Sequence, residues 1–441
     1  MSNKAPFSFV LVIGLMLFAL FFGAGNLIFP PMLGQLAGTN FWEANLGFLV
    51  TGVGLPLMTV LAFGFSGKTD LLELVKRVHP VFGLIFSIIL YLTLGPLFAL
   101  PRSGTVSFEI GVTPFLPKDH GPLPLAIFTI LFFTLTCFLA LNPTKIVDVI
   151  GKVLTPLKLT FIGLLVLIAV IKPISPIQAP VNAYESHVFF KGFQNGYLTM
   201  DTLAAFVFGI IIINAMKEKG ITSKKQIMIT CAKATVIAAV ILAALYTALA
   251  YMGASSVGEL GYFENGGLIL SSVSQYYFGF YGQILLGLMI TVACLTTSVG
   301  LMTSCASFFN KLYPKISYKS FVVILSVLSI AISNVGLTNL ITISGPVLKI
   351  IYPVAIVLAF LTFLHPVFFG KSEVYQVSLF FTLVVSVCGG LSVKSIDDVL
   401  APILPLYSDG LGWVLPALVG MLIGGVIGFV RNAGGSSIPH K

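Results

Sequence analysis

Twelve apolar runs, each near the length of a bilayer-spanning helix and parted by short polar breaks, leave this chain few choices of fold. A spanning helix needs about 20 mostly apolar residues, and in hydrocarbon its backbone must satisfy its own N–H and C=O groups. The runs fall at residues 7–35, 41–66, 80–100 or beyond, 122–141 and 146–171, then 197–216, 226–252, 278–310, 318–333 and 338–364, and finally 374–392 and 411–430. The expected fold class is an all-α polytopic membrane protein with twelve transmembrane helices in one domain spanning residues 1–441. With 57% hydrophobic and 9% charged residues, no stretch remains for a soluble domain of any size. The first run follows Lys4 and ends in Phe29-Pro30-Pro31 without a small-residue cleavage site, so it reads as a retained span.

Charge gives the runs a direction. With the N-terminus inside, the expected cytoplasmic loops hold Lys68, Lys76, Arg77, Lys145, Lys152, Lys217, Lys219, Lys224, Lys225, Lys311, Lys315, Lys319 and Lys371. The opposite loops hold Asp119, Glu185, Glu259, Glu264, Asp397, Asp398 and Asp409, the bias of the positive-inside rule with both termini cytoplasmic. The net charge of +9 is thus spread over short loops and does not form a nucleic-acid surface. The cysteines Cys137, Cys231, Cys294, Cys305 and Cys388 are odd in number and scattered through apolar runs, which suggests neither disulfides nor a metal site. Of the histidines, His79, His120, His187 and His440 fall in loops or the tail and His365 at a helix end. No nucleophile–base pair stands out, so an enzyme is not expected, and no resident cofactor or obligate protein partner is implied.

The first ten runs divide into two units of five, 7–171 and 197–364, followed by an accessory pair at 374–430. Five is odd, so consecutive units have opposite orientations, the inverted-repeat plan of many secondary transporters, whose first helix in each unit is discontinuous. The first unit opens with Phe21-Phe22-Gly23-Ala24-Gly25-Asn26, where glycines weaken the helix by roughly 0.8–1.0 kcal/mol each relative to alanine. The second opens with Leu198-Thr199-Met200-Asp201-Thr202, an acid and hydroxyls inside an apolar run. Helices 1 and 6 are therefore expected to be broken and to face each other. Two other readings stand beside this one: Gly23 and Gly25 as small residues for helix packing, and Asp201 as a simple cap. On the eighth helix, Ala293, Thr296, Thr297, Gly300 and Ser304 share a face, either as oxygen ligands for a hard cation or as a packing stripe with back-bonded hydroxyls.

Two connections have structure of their own. Residues 69–78 put Thr69 and two acids ahead of an apolar stripe, an expected short amphipathic helix. Residues 255–277, with the turn Glu264-Asn265-Gly266-Gly267, read as a re-entrant or surface hairpin over a cavity.

Four motifs in order carry a resemblance over essentially the whole chain. They are Gly23-Ala24-Gly25-Asn26-Leu27-Ile28-Phe29-Pro30-Pro31, Gly95-Pro96-Leu97-Phe98-Ala99-Leu100-Pro101-Arg102, Leu154-Thr155-Pro156 and Gly196-Tyr197-Leu198-Thr199-Met200-Asp201-Thr202-Leu203-Ala204. Together they resemble the bacterial branched-chain amino acid:cation symporters, the BrnQ-like family, and that family resembles the LeuT-type fold. The resemblance implies uptake of leucine, isoleucine and valine at a bacterial cell membrane, driven by sodium or protons. It implies a substrate site at Phe22, Gly23, Ala24, Gly25 and Asn26, with the carboxylate on the N–H groups of Ala24 and Gly25. Carbonyls around Met200, Asp201, Thr202 and Ala205 would take the ammonium, and Phe206 and Phe208 are the candidates for the side-chain pocket. A sodium site would be built from carbonyls of Ala19 and Phe22 with Ala293, Thr296 and Thr297.

Lys158 speaks for protons instead, since it resembles a lysine that replaces sodium in proton-coupled relatives; its alternative is snorkelling to the cytoplasmic surface. Lys349 in the tenth helix raises the same question. Arg102 and Glu109, seven apart on an extended third helix, form either an outer gate pair or a solvated loop. The rival functions are a symporter for alanine or serine on the same fold, an uncoupled facilitator, and a channel. The expected partners are a small aliphatic L-amino acid and the lipid bilayer.

Overall fold

Apolar runs break at Phe22 and Gly23, around Gly95 and Pro96 and at 198–200, where glycine, proline or polar side chains interrupt them. The computed structural model describes residues 6–68, 70–117, 121–141 and 159–434, and the regular structure of these residues is entirely helical. Helix α1 (Phe7–Phe21) stops at Phe22, whose ψ of 74° leaves the helical region, and α2 (Ala24–Ala37) restarts after Gly23. Then come α3 (Phe41–Leu49) and α4 (Leu55–Ser66), joined by a single wide turn, and the short α5 (Leu71–Val75).

The third apolar run is also interrupted. Helix α6 (Pro80–Leu92) passes through a wide turn in which Gly95 has a ψ of −124°, and Pro96 has no N–H to continue the ladder. It resumes as α7 (Ala99–Gly111), so the run extends eleven residues past 100. Helices α8 (Leu123–Leu141) and α9 (Leu159–Ile171) complete the first half of the chain. Lys158, the Leu154-Thr155-Pro156 motif, Lys145, Lys152, Thr69 and Asp119 lie outside the described residues.

The sixth run begins earlier than its hydropathy suggests. Helix α10 (Val188–Tyr197) precedes α11 (Asp201–Glu218) at a bend of 47°, so the run expected from 197 is the second half of a broken element. Lys191, Gln194 and Asn195 give α10 a polar face that conceals it among loop residues. Helix α12 (Lys224–Ala254) and the one-turn α13 (Val257–Leu260) lead to α14 (Gly266–Leu312). Asn265 caps α14 through its side-chain oxygen, which accepts from Gly267 N–H at 3.0 Å. Gly279, with a φ of +65°, kinks α14 and separates a short arm from the long span. The hairpin expected at 255–277 is therefore α13 plus this arm. Gln35 of α2 pins its connecting loop with two 2.9 Å bonds to the backbone of Phe263.

Helices α15 (Tyr318–Ser333), α16 (Leu337–Leu364), α17 (Ser372–Leu391), the short α18 (Lys394–Leu400) and α19 (Val414–Gly434) follow. Eight helical runs among the described residues are long and apolar enough to cross a membrane, nine with the bent α10–α11 pair counted as one. Three shorter apolar helices, α1, α9 and α15, accompany them.

Packing sorts the helices into groups. Helices α1, α2, α3, α4, α10, α11 and α12 lie against one another, as do α7, α8, α14 and α15, while α17 packs on α16 and α19. Among the close seams is α2 on α12, where an added Cβ at Gly34 would stand 1.8 Å from the Ala250 carbonyl oxygen and one at Gly253 2.0 Å from that of Pro31. Without a hydrophobic drive between helices in lipid, such close backbone approach supplies the packing energy. Asp70 caps α5 by accepting from Leu72 N–H at 2.8 Å, and it also pairs with Lys311 at the end of α14. Burial opposes charge on this loop carboxyl, but the Lys311 ammonium and the Leu72 N–H outweigh it and hold Asp70 below the usual carboxylate range.

Candidate functional site

The two helix breaks meet in the interior. At the first, the N–H groups that open α2 have no intrahelical partners, and Gly23 at the N-cap carries no side chain to accept from them. At the second, Leu198, Thr199 and Met200 bond back to Asn195, Gly196 and Tyr197 at 3.1–3.3 Å, and Met200 takes a left-handed φ of 64° that turns the chain into α11. A non-glycine residue in that region is strained by about 1–3 kcal/mol, held here by packing that buries all but 2% of the Met200 surface.

The break has a bookkeeping consequence for hydrogen bonds. In an unbroken helix Thr202 N–H would bond to the Leu198 carbonyl; here it donates to the Tyr352 hydroxyl at 3.3 Å. Tyr352 comes from α16 and stacks on Tyr197 with ring centroids 4.5 Å apart. The carbonyls of Leu198 and Thr199 are thereby released, whereas Met200 O is already taken by Ala204 N–H at 2.9 Å. The acceptors free to meet a cation are thus just before Met200 and not in the stretch from Met200 to Ala205.

Arg102 fills that vacancy. Its guanidinium donates to the Leu198 carbonyl and, at 3.0 Å, to the Thr199 carbonyl. It lies 5.3 Å above the Phe29 ring centroid, is 6% exposed, and its Nε has no partner among the described residues. Helix α7 thus delivers Arg102 to the middle of the protein. Glu109, seven residues on, is only half-buried near the far end of the helix.

A direct bridge joins the two breaks. Asn26 Nδ2 donates to Asp201 Oδ2 at 2.5 Å and to the hydroxyl of Tyr246 from α12. Asp201 is the first residue of α11, at the positive end of the helix dipole, but Met200 holds the N-cap position and its side chain makes no capping bond; Asp201 lines the cavity instead. Gly23, Ala24, Gly25, Asn26, Arg102, Ser103, Thr199, Met200 and Asp201 surround a cavity of about 40 Å3. Its apolar wall is Leu20, Phe21, Leu94, Ala99, Ala204, Phe208 and Leu301. Phe208 meets Phe21 edge to face at 5.6 Å, while Phe206 turns away to Phe63 and Phe86. Phe22 stacks on Phe18.

The eighth-helix face reaches the same place. Thr297 lines the cavity, with its methyl 3.9 Å from an added Cβ at Gly23. The Thr296 and Thr297 hydroxyls donate to the Ala293 carbonyl at 2.8 and 3.1 Å, which leaves their oxygen lone pairs free to accept a cation. The back-bonding is that of a packing stripe, and of the residues expected around a cation only Thr297 lines the cavity. The Ala293 carbonyl, already the acceptor of both hydroxyls, is less available than the hydroxyls themselves.

Two other cavities lie outside this site. Lys349 and Lys191 line one of about 280 Å3 with Asp397, Tyr407 and Trp413, and another of about 380 Å3 runs from Tyr91 to the Asp70–Lys311 pair. Sequence reasoning missed Tyr246, Tyr352, Ser103 and the central place of Arg102. Lone tyrosines inside otherwise apolar runs were the available signal, since a buried hydroxyl requires a partner.

Comparison with known proteins agrees with this geometry. Residues 8–430 match the family model described as "Branched-chain amino acid transport protein". The chain is 62% identical over 437 residues to the branched-chain amino acid permease BrnQ of Bacillus subtilis, covering 98% of this chain and 99% of that protein. It is 40% identical over 414 residues to BrnQ of Escherichia coli K12, covering 93% of each. Among solved structures, Mhp1, a nucleobase-cation-symport-1 family transporter in a closed conformation, aligns with a TM-score of 0.64 at 12% identity over 96% of this chain and 92% of Mhp1. MhsT in complex with L-phenylalanine aligns with a TM-score of 0.54 at 17% identity over 95% of this chain and 98% of MhsT. The fold is that of these transporters, and the chain, a multi-pass membrane transporter rather than an enzyme, belongs to the branched-chain amino acid transport protein family.

Proposed function

We propose that this protein takes up leucine, isoleucine and valine by cation symport with alternating access. The observation that carries the reading is the pair of helix breaks facing one cavity, with helix N–H groups that lack intrahelical partners on one side and, on the other, carbonyls released from the helix and held by Arg102. An amino acid presents opposite charges to those two surfaces. Its carboxylate suits the first turn of α2 at Ala24 and Gly25, its ammonium suits the carbonyls of Leu198 and Thr199, and its aliphatic side chain suits the wall of Phe21, Met200, Ala204, Phe208 and Leu301. Relatives named as branched-chain amino acid permeases support a branched-chain substrate over alanine or serine.

The domain plan belongs to the same proposal: twelve spans, five-helix units at 7–171 and 188–364 in inverted orientation, two accessory helices at 374–434, and both termini cytoplasmic. The distribution of lysine and arginine supports the orientation. For the coupling ion, a sodium site at Thr296 and Thr297 against the break at Ala19 and Phe22 competes with proton coupling through Lys158. One charge moving through 100 mV supplies about 2.3 kcal/mol to either.

Isoleucine uptake into proteoliposomes, with sodium and proton gradients imposed separately, decides the coupling. Sodium-driven accumulation that survives Lys158→Ala and is lost in Thr297→Ala places the ion at α14. Proton-driven accumulation abolished by Lys158→Ala withdraws the sodium site. Equilibration without accumulation under either gradient makes the protein a facilitator and ends the symport reading.

A further inference from the structure

Resting on that reading of the site, we propose that Arg102 is its resident cation. In this structure the guanidinium occupies the two carbonyls that take the substrate's ammonium; when an amino acid arrives, Arg102 yields them and closes on the carboxylate. It is thereby both a stand-in for the substrate and a clamp upon it.

The space available requires a displacement. The cavity of about 40 Å3 holds roughly three waters at ~10–15 Å3 each, far less than a leucine. The side chain that fills the remainder is Arg102, which bonds to the Leu198 and Thr199 carbonyls. Substrate cannot reach those acceptors while the guanidinium holds them.

The empty carrier needs such an occupant. Two helix carbonyls freed in the membrane interior cost several kcal/mol each if left unpaired, and a carrier must pass through its empty state on every cycle. A planar fork of N–H donors meets two carbonyls at once in a way that an ammonium does not. The substrate's own cationic group provides a replacement set of donors, so the exchange leaves the carbonyls satisfied before and after.

The destination of the guanidinium is next to it. Arg102 Nη2 lies 2.8 Å, and Cζ 3.1 Å, from a Cβ built at Gly25, in the first turn of α2 where the carboxylate is placed. Glycine at this position makes room for the guanidinium. Nε, buried and without a partner among the described residues, is a donor still to be satisfied, and a carboxylate accepts from Nε and a terminal nitrogen together. Asp201 in the same cavity keeps a counter-charge near the guanidinium in both positions.

The test uses purified full-length protein in detergent and three ligands: leucine, isoamylamine, which is leucine without its carboxylate, and isocaproate, which is leucine without its ammonium. Affinities are measured for wild type and Arg102→Ala. Losing the clamp is expected to abolish isocaproate binding, while leucine, which loses the clamp and gains uncontested carbonyls, shifts less than either analogue. Losing the stand-in is expected to strengthen isoamylamine about tenfold or more, because the amine no longer competes with a tethered cation. Free guanidinium ion then competes with isoamylamine in the variant and not in wild type. Weakening of isocaproate and amine alike would make Arg102 a structural strut and overturn the proposal, as would unchanged isoamylamine affinity. Should Arg102→Ala not survive purification, Arg102→Gln carries the same comparison, with the same opposed shifts expected. Wild type that binds no leucine would instead overturn the amino-acid reading itself.

Discussion

In Asp201→Asn, the initial rate of isoleucine uptake by proteoliposomes is expected to fall about 100-fold while the protein remains folded and monodisperse. Asp201 Oδ2 accepts the Asn26 Nδ2 bond at 2.5 Å, the one side-chain bridge between α2 and the start of α11 seen among the described residues. An amide of the same shape leaves packing intact, but sets an N–H2 group against a buried N–H2 group or turns its oxygen to Asn26 without the charge. A buried bond to a charged group is worth about 1.5–3 kcal/mol, which is roughly 10- to 100-fold in rate when the bond aligns the two breaks. The negative charge that balances Arg102 is lost as well, and this takes the expectation to the upper end. Uptake within twofold of wild type, at equal protein incorporation, would show that the Asn26–Asp201 bridge does not serve transport.

The largest effect on stability is expected at the α2–α12 seam. In Gly34→Val and Gly253→Val the new Cβ would overlap a backbone carbonyl, at 1.8 Å from Ala250 O and 2.0 Å from Pro31 O. Neither obstacle is the end of a flexible side chain, so the helices must separate along the seam. Overpacking costs about 1–3 kcal/mol in ordinary cores and more where backbone must move, so both variants are expected to lose about 3 kcal/mol or more. Thermal unfolding followed by fluorescence-detected gel filtration reads this directly. Gly425→Ala is the matched control, since nothing lies within 4 Å of its Cβ position, and it is expected to unfold with wild type. A seam variant as stable as that control would mean that α2 and α12 are not in backbone contact.

Much of the site was legible without coordinates, for a local reason. Glycines, an amide and an acid inside apolar runs are visible along the chain, and hydrocarbon gives them no reason to be there unless the helix opens. Hence Gly23, Ala24, Gly25, Asn26, Met200 and Asp201 were identifiable as cavity residues, and the structure brings all six to one cavity. Thr297 followed from helical spacing. What escaped was what depends on a partner from elsewhere. Helix α10 was hidden because a half-helix whose polar face carries Lys191, Gln194 and Asn195 has the hydropathy of a loop. Tyr352, which replaces a lost helix bond at Thr202, lies 150 residues away from it.

Arg102 marks the boundary between the two kinds of knowledge. Its spacing from Glu109 is a property of one helix and suggested a gate; its bonds to Leu198 and Thr199 span 96 and 97 residues of chain. By itself the sequence determined a helical membrane protein, the number of its apolar runs and where two of them weaken, because those follow from hydropathy and backbone propensity counted locally. Only the tertiary structure decided which carbonyls the break at Met200 releases, that Arg102 takes them, and that Asn26 and Asp201 join the two breaks. Those outcomes depend on which distant groups can reach an unpaired donor or acceptor once the helices are packed, and no local pattern encodes that reach.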